Sequence, residues 1–202
     1  KADVSCNGGL DGKITVTASN GIEPYTYALT GVGANNTGNS TGIYTGLPAG
    51  SYTVAVSDAK GCTSLAAAAI IIMQPAPVTA SVSVTTGLSC GTGNVTQMAT
   101  VTASASGGTG SYMYSFDGGI NYSSNAVYTT NLSGLVSVLV KDANGCLSTT
   151  TPVTILQPLS LTAVVATTPS CANNDGIVNV SATGGSANYQ FNIDGGAFVA
   201  TT

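Results

Sequence analysis

Five cysteines are the residues of this 202-residue chain whose type and spacing suggest chemistry. The differences 62 − 6 and 146 − 90 are both 56, so Cys6 stands to Cys62 as Cys90 stands to Cys146. Equal spacing indicates an internal repeat in which each copy carries one disulfide. The spacing therefore predicts the bonds Cys6–Cys62 and Cys90–Cys146. Because disulfides persist in oxidising compartments, it also predicts an extracellular protein.

The cysteine positions also set the period of the repeat. Cys90 follows Cys6 by 84 residues and Cys171 follows Cys90 by 81, so a third copy begins there without its second half. We expect the partner of Cys171 outside this sequence, which begins and ends as though taken from a longer chain. The prediction is three modules joined by extended Gln-Pro linkers at 74–75 and 157–158: repeat one, residues 1–75, with a truncated first strand; repeat two, residues 76–158; and repeat three, residues 159–202, without its C-terminal part.

A short motif precedes the second cysteine of each complete copy, SDAKGC at 57–62 and KDANGC at 141–146. Each motif follows an alternating strand and precedes another, which is typical of a hairpin turn. Gly61 and Gly145 would take its positive-φ position and Asp58 and Asp142 its polar one. The second motif also resembles part of a calcium loop, but the twelfth-position Glu is missing. We therefore predict turns and no cofactor, with calcium as the alternative.

The elements that position these turns are predicted to be strands. Twenty-six glycines, with charged residues at only 6% of the chain, favour short strands joined by turns. Apolar and polar residues alternate in SYTVAVS and LVSVLVK, as expected of half-buried strands. The alanine run at 66–69 is predicted to be strand, because its counterpart contains Thr, Val and Pro. With about seven strands per roughly 80 residues, the chain is predicted to be all-β, made of tandem immunoglobulin-like sandwiches with one intramodule disulfide each. Small barrels are the alternative architecture.

The order of landmarks resembles the SprB repeat: a cysteine, a DG dipeptide before an alternating strand, PYTY, GLPAGSYTVAVSDAKGC, and a strand ending in QP. The resemblance covers the first two copies nearly end to end and the first half of the third. It implies a cell-surface adhesin of gliding Bacteroidetes, exported by the type 9 secretion system and displayed as a long extracellular filament. Its implied partners are neighbouring repeats, the secretion and gliding machinery, and surface polysaccharide or substratum.

Composition excludes several classes of function. The chain has four lysines, no arginine and no histidine, so it lacks a basic patch for nucleic acid and cannot form a Ser-His-Asp or Cys-His arrangement. Its longest apolar run, LAAAAIIIM, has nine residues, whereas a helix needs roughly 20 to cross a bilayer. We expect neither an enzyme nor a membrane-spanning protein.

Tyrosines recur at one place in the three copies, and an aromatic row could stack on sugar rings. This leaves a carbohydrate-binding module train of a secreted multidomain protein as the alternative function. The candidate glycan contacts are Tyr25, Tyr27, Tyr112, Tyr114 and Tyr189.

Overall fold

The chain is all-β. We describe a computed structural model over residues 1–66, 68–91, 95–170, 175–185, 188–192, 196 and 199–200. Within these residues there are strands and turns but no helix. The predicted fold class of β-sandwich repeats is therefore confirmed, apart from the disulfides described below.

The strands follow the three predicted copies. Repeat one contains β1 (Gly12–Thr15), β2 (Thr26–Gly31), β3 (Ile43–Leu47), β4 (Gly50–Ser57), β5 (Thr63–Leu65) and β6 (Ile70–Ile72). Repeat two contains β7 (Thr79–Thr86), β8 (Ser89–Cys90), β9 (Thr96–Gln97), β10 (Ala99–Ser106), β11 (Met113–Ser115), β12 (Val127–Thr130), β13 (Gly134–Lys141) and β14 (Thr151–Ile155). Repeat three contains β15 (Ser160–Thr167), β16 (Ile177–Thr183), β17 (Gln190–Phe191) and β18 (Val199–Ala200).

Repeat one packs two sheets around one core. Strands β1 and β3 pair in one sheet, and β4 pairs with β2, β5 and β6 in the other. The alternating strand β4 turns Tyr52 and Val54 inward, where they meet Ile14, Tyr44 and Leu47 from the facing sheet. Burial of one side of each sheet defines the sandwich.

Two positions of β4 fix the two ends of this repeat. Gly50, at its start, pairs with Ile72 of β6, whereas Ser57, at its end, pairs with Thr63 of β5. The predicted strand through the alanine run is wrong. Strand β5 ends at Leu65 and β6 begins only at Ile70, because alanine offers a sheet too little side chain to pack.

Repeat two repeats the two-sheet arrangement. One sheet has the strand order β12-β10-β7 and the other β11-β13-β14. Alternate residues of β10 and β13 supply the core, which includes Val101, Val138 and Ile155. The period-2 alternation seen in the sequence is thus the physical basis of both sandwiches.

The chain divides into two compact units. The first comprises Lys1–Ala80, Ala105–Met113 and Leu139–Thr149, and the second comprises the other described residues. The first unit therefore contains repeat one together with two segments of repeat two, and one of these is the second Asp-Ala-x-Gly-Cys turn. The second unit holds the core of repeat two and the paired strands β15 and β16 of repeat three. The three-module boundaries stay a prediction.

Candidate functional site

The turn at 58–62 is closed by the side chain of Asp58. Its Oδ1 accepts hydrogen bonds from the amides of Lys60 and Cys62, both at 2.9 Å, and Oδ2 accepts one from Ile22 at 3.3 Å. Gly61 takes φ +81°, the left-handed region that glycine enters without strain. The turn assigned from the sequence is present, and its aspartate also binds the loop that holds Ile22.

The turn at 142–146 has the same construction. The Oδ1 of Asp142 accepts from Asn144 at 3.0 Å and Cys146 at 2.9 Å, and Oδ2 accepts from the amide of Thr109 at 2.8 Å. Gly145 has φ +83°. Each aspartate is therefore the hub of a turn-and-loop clamp. Its oxygens are occupied by amide hydrogens, which a cation would have to displace.

Hydrogen bonding keeps both carboxylates ionised. The amide of Cys62 is the main reason that the pKa of Asp58 lies below its ordinary value. Burial acts to raise the pKa of Asp142, but the amides of Thr109 and Cys146 outweigh it and the pKa is lowered. Within the described residues, no three Cys, Asp or Glu side chains group closely enough to hold a metal ion.

The disulfide of the structure joins two copies. Cys6 is bonded to Cys146, at a sequence separation of 140 and a Cα–Cα distance of 5.6 Å. Cys62 and Cys90 are free and exposed. The predicted intramodule bonds Cys6–Cys62 and Cys90–Cys146 are thus corrected, and the predicted site at Cys171 lies outside the described residues.

The sandwich itself prevents the predicted bond in repeat one. The segment before Cys6 lies at the Gly50 end of β4, because the amide of Val4 donates to the Met73 carbonyl just after β6. Cys62 follows the turn at the opposite end. The seven residue steps of β4, at about 3.3 Å each, separate these ends by about 23 Å. A disulfide needs Cα atoms within about 7 Å.

Asp11 positions the segment that carries Cys6, a role that the sequence analysis did not identify. Its Oδ1 accepts the amide of Ser5 at 3.0 Å, and hydrogen bonds from Ser5 are the main cause of its lowered pKa. In repeat three, Asp175 accepts the amide of Ser170 at 2.7 Å. The available signal was a Ser-Cys pair followed within six residues by Asp-Gly in both copies.

The first tyrosine of each aromatic pair serves the loop before it. The hydroxyl of Tyr25 donates to the Gly21 carbonyl at 3.2 Å, and that of Tyr112 donates to the Gly107 carbonyl at 2.6 Å. Tyr189 makes the same contact with Gly184. These three rings are half-buried.

The second tyrosine of the pair belongs to a core. Tyr27 is a buried member of the first core, and Tyr114 is half-buried against the second. Glycan contact by the five tyrosines stays a prediction. Both positions of the pair have a structural use that explains their recurrence.

A cleft of about 140 Å³ lies beside the first turn. Asp58, Cys62, Gly21 and Tyr25 are among its lining residues. Ile22, in the neighbouring loop, is 52% exposed. The cleft thus joins an open thiol to an apolar side chain that nothing in the described structure covers.

The SprB repeat family model matches the chain at residues 1–34 and 163–198. The resemblance to the SprB repeat is confirmed in these stretches. They contain Asp11 with Ser5, and Asp175 with Ser170, so the Asp-to-Ser clamp lies inside matched sequence. SprB repeats are associated with cell-surface proteins, and the match supports a repeat segment of such a protein.

Comparison with solved structures gives distant similarities. Fibronectin(III)-like modules of Clostridium thermocellum CbhA match at 18% identity and a TM-score of 0.35, over 76% of this chain and 88% of that chain. The amphioxus IgVJ-C2 molecule matches at 15% identity and a TM-score of 0.33, over 75% of this chain and 99% of that chain. A search of curated proteins found no match. The described residues include no helix of the length and apolar character needed to cross a membrane.

Proposed function

We propose that the chain is a run of SprB repeats in a large secreted filament or adhesin on the surface of a gliding bacteroidete, exported by the type 9 secretion system. Its role there is mechanical and non-catalytic. The repeats set reach and carry load, need no cofactor, and leave adhesion to other parts of the protein. Their partners are neighbouring repeats, the secretion and gliding machinery and, through the whole filament, the substratum or its polysaccharide.

The observation that carries this proposal is the Cys6–Cys146 bond. It ties the beginning of repeat one to the second turn of repeat two, 140 residues away. A pull along the chain is then transmitted through the bond, and the residues inside the loop cannot be drawn out. A covalent link between consecutive repeats suits a load-bearing element.

The features shared by the copies favour a spacer over a ligand reader. The Asp58 and Asp142 clamps agree bond for bond, and Tyr25 and Tyr112 bind the preceding loop in the same manner. All of these contacts stay inside the fold. A glycan site used in every copy would instead repeat exposed polar groups around an open ring face.

Surface labelling and a deletion test the proposal. An antibody raised against the recombinant chain should label filaments on intact cells, and a secretion-deficient strain should lose the label. Deleting the codons for residues 1–202 from the full-length gene should shorten the filament while cells still attach. Loss of attachment at normal filament length, or specific binding of the recombinant chain on a glycan array, would favour the carbohydrate-binding alternative.

A further inference from the structure

The two Asp-Ala-x-Gly-Cys turns have the same geometry but different surroundings. In repeat two, Asp142 is 4% exposed and Cys146 is 9% exposed. In repeat one, Asp58 is only half-buried and Cys62 is exposed. Because the hydrogen bonds of the turns match, the difference in burial reflects what lies against each turn.

Repeat one covers the second turn. The side-chain amide of Asn144 donates to the Ser5 carbonyl at 3.1 Å, next to the Cys6–Cys146 bond. The linker contributes as well, because Gly108 donates its amide to the Ala76 carbonyl at 2.8 Å. A Ser-Cys segment and a linker from the preceding repeat therefore form the occupant of this turn.

The first turn offers the same features without an occupant. Cys62 replaces Cys146 beside the open cleft, and Gly21 replaces Gly108 against the aspartate side chain. Lys60 replaces Asn144 and keeps a side-chain hydrogen-bond donor at that position. The exposed Ile22 offers apolar surface to whatever binds there.

We propose that the cleft at Cys62 is the docking site for the Ser-Cys segment of another repeat of this type, placed ahead of repeat one, and that the two cysteines form a disulfide. By the same rule, Cys90 receives the turn cysteine of a following repeat. Successive repeats are then joined in register by one bond at each junction. This goes beyond the proposed function, since a surface filament needs no bond between its repeats.

The period of the sequence agrees with this register. The observed separation of 140 is the sum of the 84-residue period and the 56 residues between Cys6 and Cys62. A copy added one period ahead of repeat one would place its own first cysteine 140 residues before Cys62. The spacing at the new junction would equal that of the observed bond.

Formation of the bond is an ordinary thiol–disulfide exchange. The Cys62 thiolate attacks a small-molecule or protein disulfide, forms a mixed disulfide and releases one thiol. The thiolate of the incoming cysteine then displaces the second thiol. Two cysteine thiols are oxidised, one disulfide of the oxidant is reduced to two thiols, and the two protons pass to solvent.

One residue distinguishes the two docking surfaces. Gly107, at φ +77°, lies so close to the Pro77 carbonyl of the linker that an added Cβ would overlap it. Asn20 holds the corresponding place in repeat one at φ +66° and already carries a Cβ. A linker docked at Cys62 must therefore lie slightly farther out, and Asn20→Gly would remove the obstruction.

The test is an extended chain in which residues 1–84 are placed ahead of Lys1, so that the protein gains one full period. After oxidation in glutathione buffer, non-reducing peptide mapping by mass spectrometry locates the bonds. We expect the added copy's Cys6 to be bonded to the original Cys62, with Cys6–Cys146 retained. Cys62 should also disappear from the alkylated fraction. In the matched Cys62→Ser variant the added cysteine should be recovered as a free thiol.

Two outcomes would overturn the inference. One is that the added copy's Cys6 is bonded to the Cys62 of the same copy. The other is that it stays free both in the extended chain and in its Asn20→Gly variant. Neither outcome affects surface display in cells, so this test and that of the proposed function fail independently.

Discussion

Replacing Cys6 with Ser should greatly increase the length to which the chain can be pulled. The bond closes a loop of 140 residues, which at about 3.4 Å per residue hides about 480 Å of contour. With the bond intact, the 202 − 140 = 62 residues outside the loop extend to about 210 Å. The Cys6→Ser chain should reach about 690 Å.

The measurement is single-molecule force spectroscopy, with the chain attached at both termini and no reductant present. The parent protein in dithiothreitol should show the same gain of about 480 Å, because reduction removes the same bond. Cys62→Ser and Cys90→Ser are the matched controls, since both thiols are free and neither change should alter the extension.

The lengths distinguish the pairings directly. A bond within one repeat would hide 56 residues, or about 190 Å. A gain near that value in Cys90→Ser, or none in Cys6→Ser, would refute the bond between repeats. In equilibrium unfolding, the chain-entropy relation for this loop predicts that Cys6→Ser lowers the free energy of unfolding by about 5 kcal/mol.

Three further predictions concern the turns and loops. Gly107→Ala should lower the free energy of unfolding by more than the roughly 1–2 kcal/mol expected of Gly145→Ala in a denaturant titration. Both positions have positive φ, but only Gly107 meets a linker carbonyl. Asp142→Asn should cost about 2 kcal/mol and more than Asp58→Asn in thermal melts, because only the first carboxylate is buried; equal losses would contradict the clamp argument. Hydrogen bonds led by the amide of Asn121 lower the pKa of Asp117 to about 2, below an unfolded value near 3.9. Its contribution to stability should therefore be complete above about pH 4 and lost as the pH falls toward 2, and a melting temperature constant across that range would refute it.

The strands were predictable because their cause is local. Alternation in SYTVAVS predicts β4, and Val54 points into the core as the pattern requires. The alanine run shows the limit of the method, since its assignment rested on a counterpart and not on its own residues. Strand pairing there depends on side chains that alanine lacks.

The pairing of the cysteines was not predictable from spacing. In a periodic sequence, a separation of 56 and one of 84 plus 56 fit the same positions, so Cys6 fits Cys62 and Cys146 equally well. Only the folded sandwich decides between them, because the length of β4 keeps the nearer partner out of reach. The clamp of Asp11 on Ser5 was equally hidden, since a loop contact leaves no periodic signature.

The distance across β4 also has a consequence during synthesis and export. Cys62 emerges soon after Cys6, whereas Cys146 follows 84 residues later, so the wrong thiol is available first. Once repeat one has folded, its strands hold Cys6 and Cys62 about 23 Å apart, and the early thiols cannot meet. Folding ahead of oxidation therefore acts as a selection step. Each repeat keeps its first cysteine reduced until the turn of the next one arrives.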